Sequence, residues 1–277
     1  MPVLGFIYLK IAKKYGINVR IAHSHTMGFV QDKNLLKRWI KKITNRLYSK
    51  YATDLFACSW DAGNYMFGEK EFNVIHNAID TKKYIYHEKN RAEKRKELNL
   101  KEEFTIGCVG RLEPVKNHKF SIEIFEKLVE FHPNSKLLFV GKGSMENELK
   151  NLVVQKKLEN KVLFLGNRND VEKLYSVMDV FLFPSLYEGL GMVGIESQAA
   201  GIPTICSDTL PKELNITPLL YRMSLQNSPE LWAKLILSTD NNKDKHKDMS
   251  SFVIKANFDI LTLAQELQEF YLRQYDN

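Results

Sequence analysis

The sequence contains no apolar run approaching the ~18 residues that a membrane-spanning helix requires. Cysteine is scarce. Cys58, Cys108 and Cys206 are far apart, each in a strand-like apolar run, so the expectation is buried thiols in a reducing cytoplasm. No Cys/His spacing suits zinc. Residues 1–11 are apolar but show neither a basic leader nor a small-residue cleavage site, and no secretory signal is expected. Acidic residues are few in the first third. Residues 1–100 carry 19 Lys+Arg against 9 Asp+Glu and the remainder 21 against 24, giving +7 overall. A basic first third favours an anionic partner such as a membrane surface or phosphates. Nucleic acid fits poorly, because no recognition module is present and the aromatics lie within apolar runs.

What the chain does have is alternation. Its 277 residues, 44% hydrophobic and 26% charged, suit two soluble α/β domains. Short apolar runs rich in β-branched and aromatic residues recur as NVRIAH, DLFACS, FNVIHN, FTIGCVG, KLLFVG, KVLFLG, DVFLFPS and PTICSD. Amphipathic stretches lie between them, at Lys33–Tyr51, His118–Phe131 and Met145–Lys157. This is the pattern of βα units and a parallel sheet. The charged stretch Asp80–Glu103 reads as a linker with a helix between two blocks. The second block, from about Phe104 to Leu237, has enough strands for a doubly wound sheet, whereas the first has about three. The expected division is 1–80, 81–250 and a last piece, 251–277, whose helix returns to the first domain.

The chemistry concentrates in Asp179–Ser207, DVFLFPSLYEGLGMVGIESQAAGIPTICS. A buried strand runs to Pro184, a loop holds Glu188, and glycines open a helix near Met192 that carries Glu196. The amides near Gly189, Leu190 and Gly191 sit at a helix N-terminus, where the dipole and free N–H groups suit a phosphate. Two carboxylates flanking such a cradle suit sugar hydroxyls on either side of a diphosphate. A second cluster, Gly110–His118 (GRLEPVKNH), follows the strand FTIGCV and places Arg111 and Lys116 in one loop. Two cations there can neutralise a diphosphate as charge grows on it. Gly189, Gly191 and Gly194 also spell G-x-G-x-x-G, with Asp208 after the next strand. That dinucleotide fingerprint is discounted, because residues 184–188 intervene and three strand candidates precede it.

Taken together these motifs resemble the retaining glycosyltransferases of group one, or family four, of the GT-B architecture, with two Rossmann-like domains. The matched features are G-R-L with Lys116, V-G-x-G at Val140–Gly143, F-L-G at Phe164–Gly166, D-V-F-L-F-P-S, Glu188 and Glu196 with seven residues between them, and A-A-G-I-P. Asn77–Asp80 resembles the N-G-I-D hinge with Ala78 in place of Gly. More narrowly, R-I-A-H-S-H, A-C-S and E-G-L-G are similar to bacterial capsule or exopolysaccharide enzymes.

The resemblance implies a nucleotide-sugar donor, a UDP-sugar, and a polysaccharide or lipid-linked glycan acceptor, with retention of configuration. The donor is a substrate, and no cofactor or bound metal is expected. Arg111 and Lys116 would hold the diphosphate. Glu188, with the amides of Gly189, Leu190, Gly191 and Met192, would contact the transferred sugar and the phosphate. Glu196 would take the ribose hydroxyls, and Gly166, Asn167 and Arg168 would lie near the base. His25 would face the donor sugar, with His23 as runner-up. Family members begin with further βα units, so the N-terminal domain is expected to be incomplete.

His23 and His25 flank Ser24 and are assigned to opposite faces of their strand. Lys33–Tyr51 is a basic amphipathic helix with Leu36, Trp39, Ile40, Ile43 and Leu47 on one face. It suits either packing or peripheral contact with the inner face of an anionic membrane. Two rivals to the enzyme reading stand. One is a non-catalytic donor-binding fragment that needs a partner for the missing half-domain. The other is an NAD-dependent oxidoreductase resting on the glycine fingerprint.

Overall fold

The computed structural model describes residues 5–25, 35–240 and 245–275. It divides into two units, residues 1–78 with 261–277 and residues 79–260. The sequence reading sets these boundaries at 80/81 and 250/251.

Unit 1 runs α1 (Phe6–Lys14), β1 (Ile21–Ser24), α2 (Leu35–Tyr51), β2 (Asp54–Ala57), α3 (Trp60–Phe67) and β3 (Asn73–Val74). The strands form a parallel sheet in the order β1-β2-β3. Its core is Ala22, Tyr48, Ala57, Cys58, Ala62, Met66 and Phe67. Ser59 starts α3 by accepting the Ala62 N–H at 3.2 Å, and Gly68, at φ 67°, ends it. Gly63 is required within α3, because a Cβ there would lie 2.1 Å from the Phe72 ring.

Among the described side chains of α2, Thr44 and Tyr48 are buried, while Trp39 is 63% exposed and Ile43 is also exposed. Leu36 and Ile40 lie outside the described side chains. The paired histidines correct the sequence reading. Residues two apart in a strand project from one face, and the His23 and His25 rings lie 4.0 Å apart.

Unit 2 contains α4 (Thr81–Tyr84), α5 (Glu88–Glu97), β4 (Phe104–Val109), α6 (His118–Phe131), β5 (Ser135–Val140), α7 (Glu146–Gln155), β6 (Val162–Phe164), α8 (Val171–Tyr175), β7 (Val180–Phe183) and α9 (Met192–Ala199). It continues with β8 (Thr204–Ser207), β9 (Leu220–Met223), α10 (Pro229–Ser238) and α11 (Ser250–Lys255). In the last helix, α12 (Ile260–Tyr275), residues from 261 belong to unit 1. There Phe270 meets Phe56 edge-on at 5.1 Å.

The six strands of unit 2 are all parallel in the order β6-β5-β4-β7-β8-β9. Numbered within the unit, that is 3-2-1-4-5-6, the doubly wound order with its reversal between β4 and β7. Both faces are covered, so the central strands are buried at every residue. Alternation along β7 sends Val180 and Leu182 to one core, with Ile122, Phe125, Leu128 and Trp232. It sends Phe181 and Phe183 to the other, with Tyr175, Ile195, Ala199 and Val253. At the edge, β9 is a strand that the sequence reading lacks. Its residues are only half-buried, and it pairs with β8 alone.

The stretch Asp80–Glu103 is not a linker. It supplies α4 and α5, and α5 is fastened to the sheet by charge. Arg91 reaches the Asp179 carboxylate at 3.0 Å and the Ser176 and Val177 carbonyls at 3.1 Å. The buried Arg95 donates to the Lys101 and Glu103 carbonyls. Asp179 also accepts the Thr105 N–H at 2.8 Å and pairs with Lys245 at 3.2 Å. One buried carboxylate thus joins β4, α5 and the segment before α11. Removing one partner of such a group strands the others without compensation. Asp179→Ala is therefore expected to lower unfolding free energy by about 3 kcal/mol, read from the midpoint of urea denaturation. An unchanged midpoint would show that the cluster adds nothing.

Candidate functional site

Reversal of winding between β4 and β7 leaves their C-terminal loops with no helix crossing over them, and in open α/β sheets ligands bind at this crevice. Residues 110–117 leave β4 and residues 184–191 leave β7. The Leu186 N–H donates to the Val115 carbonyl at 2.9 Å, fixing one loop against the other. The Lys116 ammonium then meets Glu188 Oε1 at 2.7 Å, both side chains being 14% exposed. Lys116 also lies over the Phe183 ring at 5.3 Å.

The β4 loop is held equally closely on its other side. Gly110 donates to the Val140 carbonyl, Leu112 to that of Lys142, and Gly141 to that of Gly166. Added Cβ atoms would strike backbone: at Gly141 one would lie 2.0 Å from the Gly110 oxygen, and at Gly143 one would lie 2.4 Å from the Leu112 oxygen. Ser144 donates to Glu113 through its N–H at 3.1 Å and its hydroxyl at 2.8 Å. V-G-x-G is therefore a close-approach motif, and it brings Lys142, a cation absent from the sequence reading, beside Gly166.

Gly191, at φ 82°, caps α9 without a side chain. The first turn bond runs from the Gly194 N–H to the Gly191 carbonyl at 2.8 Å, and amides ahead of it are the orphan donors of a helix start. Gly189 is exposed, Leu190 is buried and anchors the turn, and Met192 is the first helical residue. The helix is fixed from behind by Gln198, which is fully buried. It accepts from the Thr217 N–H and hydroxyl and donates to the Gly194 and Leu214 carbonyls.

Glu196 points into the same cluster. Tyr175 donates to its Oε2 at 2.9 Å. Burial raises the Glu196 pKa, opposed by hydrogen bonds from Tyr175 and Tyr84 and by the charge of Lys116. Lys116, Glu188 and Glu196 are thus brought together, and Arg111 leaves the same loop as Lys116 with its side chain exposed.

Two further assigned residues have partners of their own. The Arg168 guanidinium is held by both Asp170 oxygens at 2.8 Å and by Glu97 at 2.6 Å. It ties the β6 loop to α5. His25 is exposed in unit 1, its ring tilted at 36° to that of His23. Burial, then His25, lowers the His23 pKa to about 4 against an opposing backbone bond at Ile75. Tyr175, Tyr84 and Gln198 escaped the sequence reading. The first two carry no local motif, and Gln198 lies within E-S-Q-A-A-G without distinguishing itself there. Among the described residues, no group of three or more His, Cys, Asp or Glu is placed to hold a metal ion.

Strand order and loops define a doubly wound domain with the Lys116–Glu188 pair and the start of α9 at its winding reversal. The chain belongs to the group 1 glycosyl transferases, whose family model matches residues 90–255. It is 33% identical over 239 residues, 84% of its own length, to the Bacillus subtilis (strain 168) protein EpsF, named as a glycosyltransferase. It is 31% identical over 218 residues, 74% of its length, to the Escherichia coli UDP-Gal:alpha-D-GlcNAc-diphosphoundecaprenol alpha-1,3-galactosyltransferase. The chain spans 62% and 55% of those two relatives' lengths. The crystal structure of Anabaena HepE in complex with UDP superposes with a TM-score of 0.81 at 21% identity, over 98% of this chain and 76% of that one. That likeness shows the fold, which is GT-B. The fingerprint of Gly189, Gly191 and Gly194 follows the fourth strand of unit 2, where a dinucleotide fold would place it after the first.

His118, the first residue of α6, is buried against Phe139 at 5.1 Å. Burial lowers its pKa to about 4, a backbone bond at Arg111 opposing and Lys116 adding. The folded state therefore binds fewer protons than the unfolded one. Stability is complete above the ordinary value of 6.5 and falls as pH drops from there towards 4. Urea unfolding followed across that window is expected to show the loss, and His118→Leu to reduce its slope. An identical slope in the variant would refute the linkage.

Proposed function

We propose that the chain is the donor-binding part of a retaining glycosyltransferase that uses a UDP-sugar and a polysaccharide or lipid-linked glycan acceptor. The observation that carries this reading is the Lys116–Glu188 pair, 2.7 Å apart at the winding reversal and beside the open N-terminus of α9. In the absence of donor, each group holds the other's charge. An incoming diphosphate competes for Lys116, joined by Arg111 and the amides of Gly189 to Met192, and releases Glu188 towards hydroxyls of the sugar. Glu196 accepts from the ribose, and Gly166 and Asn167 border the base.

As the bond from the anomeric carbon to the diphosphate oxygen breaks, its electron pair leaves on that oxygen, the acceptor hydroxyl oxygen bonds to the anomeric carbon on the same face, and the hydroxyl proton passes to the departing diphosphate. The two cations and the amides stabilise the charge where it grows. No protein nucleophile is assigned to the step. The name of the Escherichia coli relative gives a UDP-sugar donor and a lipid-diphosphate acceptor, and the HepE crystals hold UDP. Both support the choice of donor class here. The exposed Trp39 and Ile43 of the basic helix α2 support peripheral contact with an anionic bilayer, where such an acceptor resides.

Arg111→Ala and Lys116→Ala are each expected to weaken UDP binding by about 1–3 kcal/mol in calorimetry. Unchanged affinity in both variants, or tight NAD(H) binding with none to UDP, would overturn the reading. Trp39→Ala is expected to reduce co-sedimentation with phosphatidylglycerol vesicles, while neutral vesicles retain neither form. Equal sedimentation of variant and parent would remove the bilayer from the account.

A further inference from the structure

Glu196 is the one carboxylate of the cluster that is held by tyrosine hydroxyls. Tyr175, the last residue of α8, is fully buried, and its hydroxyl donates to Oε2 at 2.9 Å, with the Val193 carbonyl at 3.3 Å as its only other partner among the described residues. Tyr84, the last residue of α4, packs its ring 5.9 Å from that of Tyr175. Burial, then the charge of Glu196 and a hydrogen bond to it, raise the Tyr84 pKa well above the ordinary value, so its hydroxyl remains a donor. These tyrosines come from helices far apart in sequence. The helix bearing Tyr84 is itself anchored, since Thr81 donates to Asp259 at 2.6 Å and Ile79 bridges Asp259.

An ionised carboxylate accepts at about four lone-pair positions. Donors fixed on one side of the group therefore set its rotamer and leave the remaining positions facing outward. They also oppose the burial that would otherwise protonate it. Protonation would turn one of the acceptor oxygens into a donor, and a rotating carboxyl would present no fixed pair of acceptors.

We propose that Tyr175 and Tyr84 are positioning residues that aim Glu196 as the acceptor for a vicinal diol of the nucleotide. This rests on the reading of the cluster as a nucleotide-sugar site. The tyrosines do not touch the ligand. They act through Glu196, so their removal affects the diol and spares the diphosphate.

The test is calorimetry of the full chain with UDP and with 2′,3′-dideoxyuridine diphosphate. The parent is expected to bind UDP more tightly than the dideoxy compound. In Tyr84→Phe/Tyr175→Phe, UDP affinity is expected to fall about tenfold and dideoxy affinity by less than about threefold, a difference near one charge-assisted hydrogen bond. The single variant Tyr84→Phe, at a half-buried ring, serves if the double variant does not fold, with a smaller change in the same direction. Carboxyl-carbon NMR should show Glu196 titrating at higher pH in the variant than in the parent, because the lost donors lowered its pKa. UDP affinity in the variants would then fall as pH is lowered through that raised value. A uniform loss for both ligands, or none for UDP, overturns the positioning role while the site reading stands. Failure of the parent to bind UDP overturns the site reading and this assignment with it. Equal parental affinity for the two compounds removes the diol from Glu196.

Discussion

The adjacency of β4 and β7 is the constraint on which the site depends. A residue of one loop can form a 2.7 Å ion pair with a residue of the other only where two parallel strands are neighbours and no helix intervenes between their ends. The sheet meets both conditions at a single place, the reversal of winding. Phe183, at the end of β7, carries the point further. Its ring lies beneath the Lys116 ammonium and also lines the space that Gly191 and Gly194 leave empty. A larger residue at either glycine would press on the ring that supports the cation.

Around that reversal the polar groups divide by how completely they are satisfied. Asp179 and Gln198, away from the loops, have their hydrogen-bonding capacity taken up by backbone and side chains, and they serve the frame. Glu188 and Glu196 are only partly engaged by the hydrogen bonds of the described residues. Arg168 belongs with the frame although it sits in a loop at the same end of the sheet. Its three short bonds to Asp170 and Glu97 place its charge where it fastens α5. Charge at a sheet end is therefore insufficient to define a ligand contact, and the partners already present decide the matter.

The legibility of the sequence follows from the range of the interactions involved. α6 spans His118–Phe131, as its apolar spacing predicts, because the helix period is local and its buried face reads directly from it. The continuous apolar runs of β4, β5, β7 and β8 were equally plain, since burial on both faces leaves no polar alternation. β9 was missed because an edge strand is half-buried and its sequence, LYRM, is mixed. The helix α5 is legible, but its charged composition reads as part of a linker and not of the second domain. The charges that fold it against the sheet, Asp179 and Asp170, lie more than seventy residues away.

The sequence by itself determined the βα alternation, the glycine positions where backbone approaches backbone, and the two loops carrying Arg111, Lys116, Glu188 and Glu196. Each of these is encoded in residues close along the chain. Only the tertiary structure decided which charges face one another. It paired Lys116 with Glu188, diverted Arg168 to the frame through Glu97, and set Tyr175 on Glu196. Those outcomes depend on contacts between elements tens of residues apart, and spacing along a chain carries no measure of that distance.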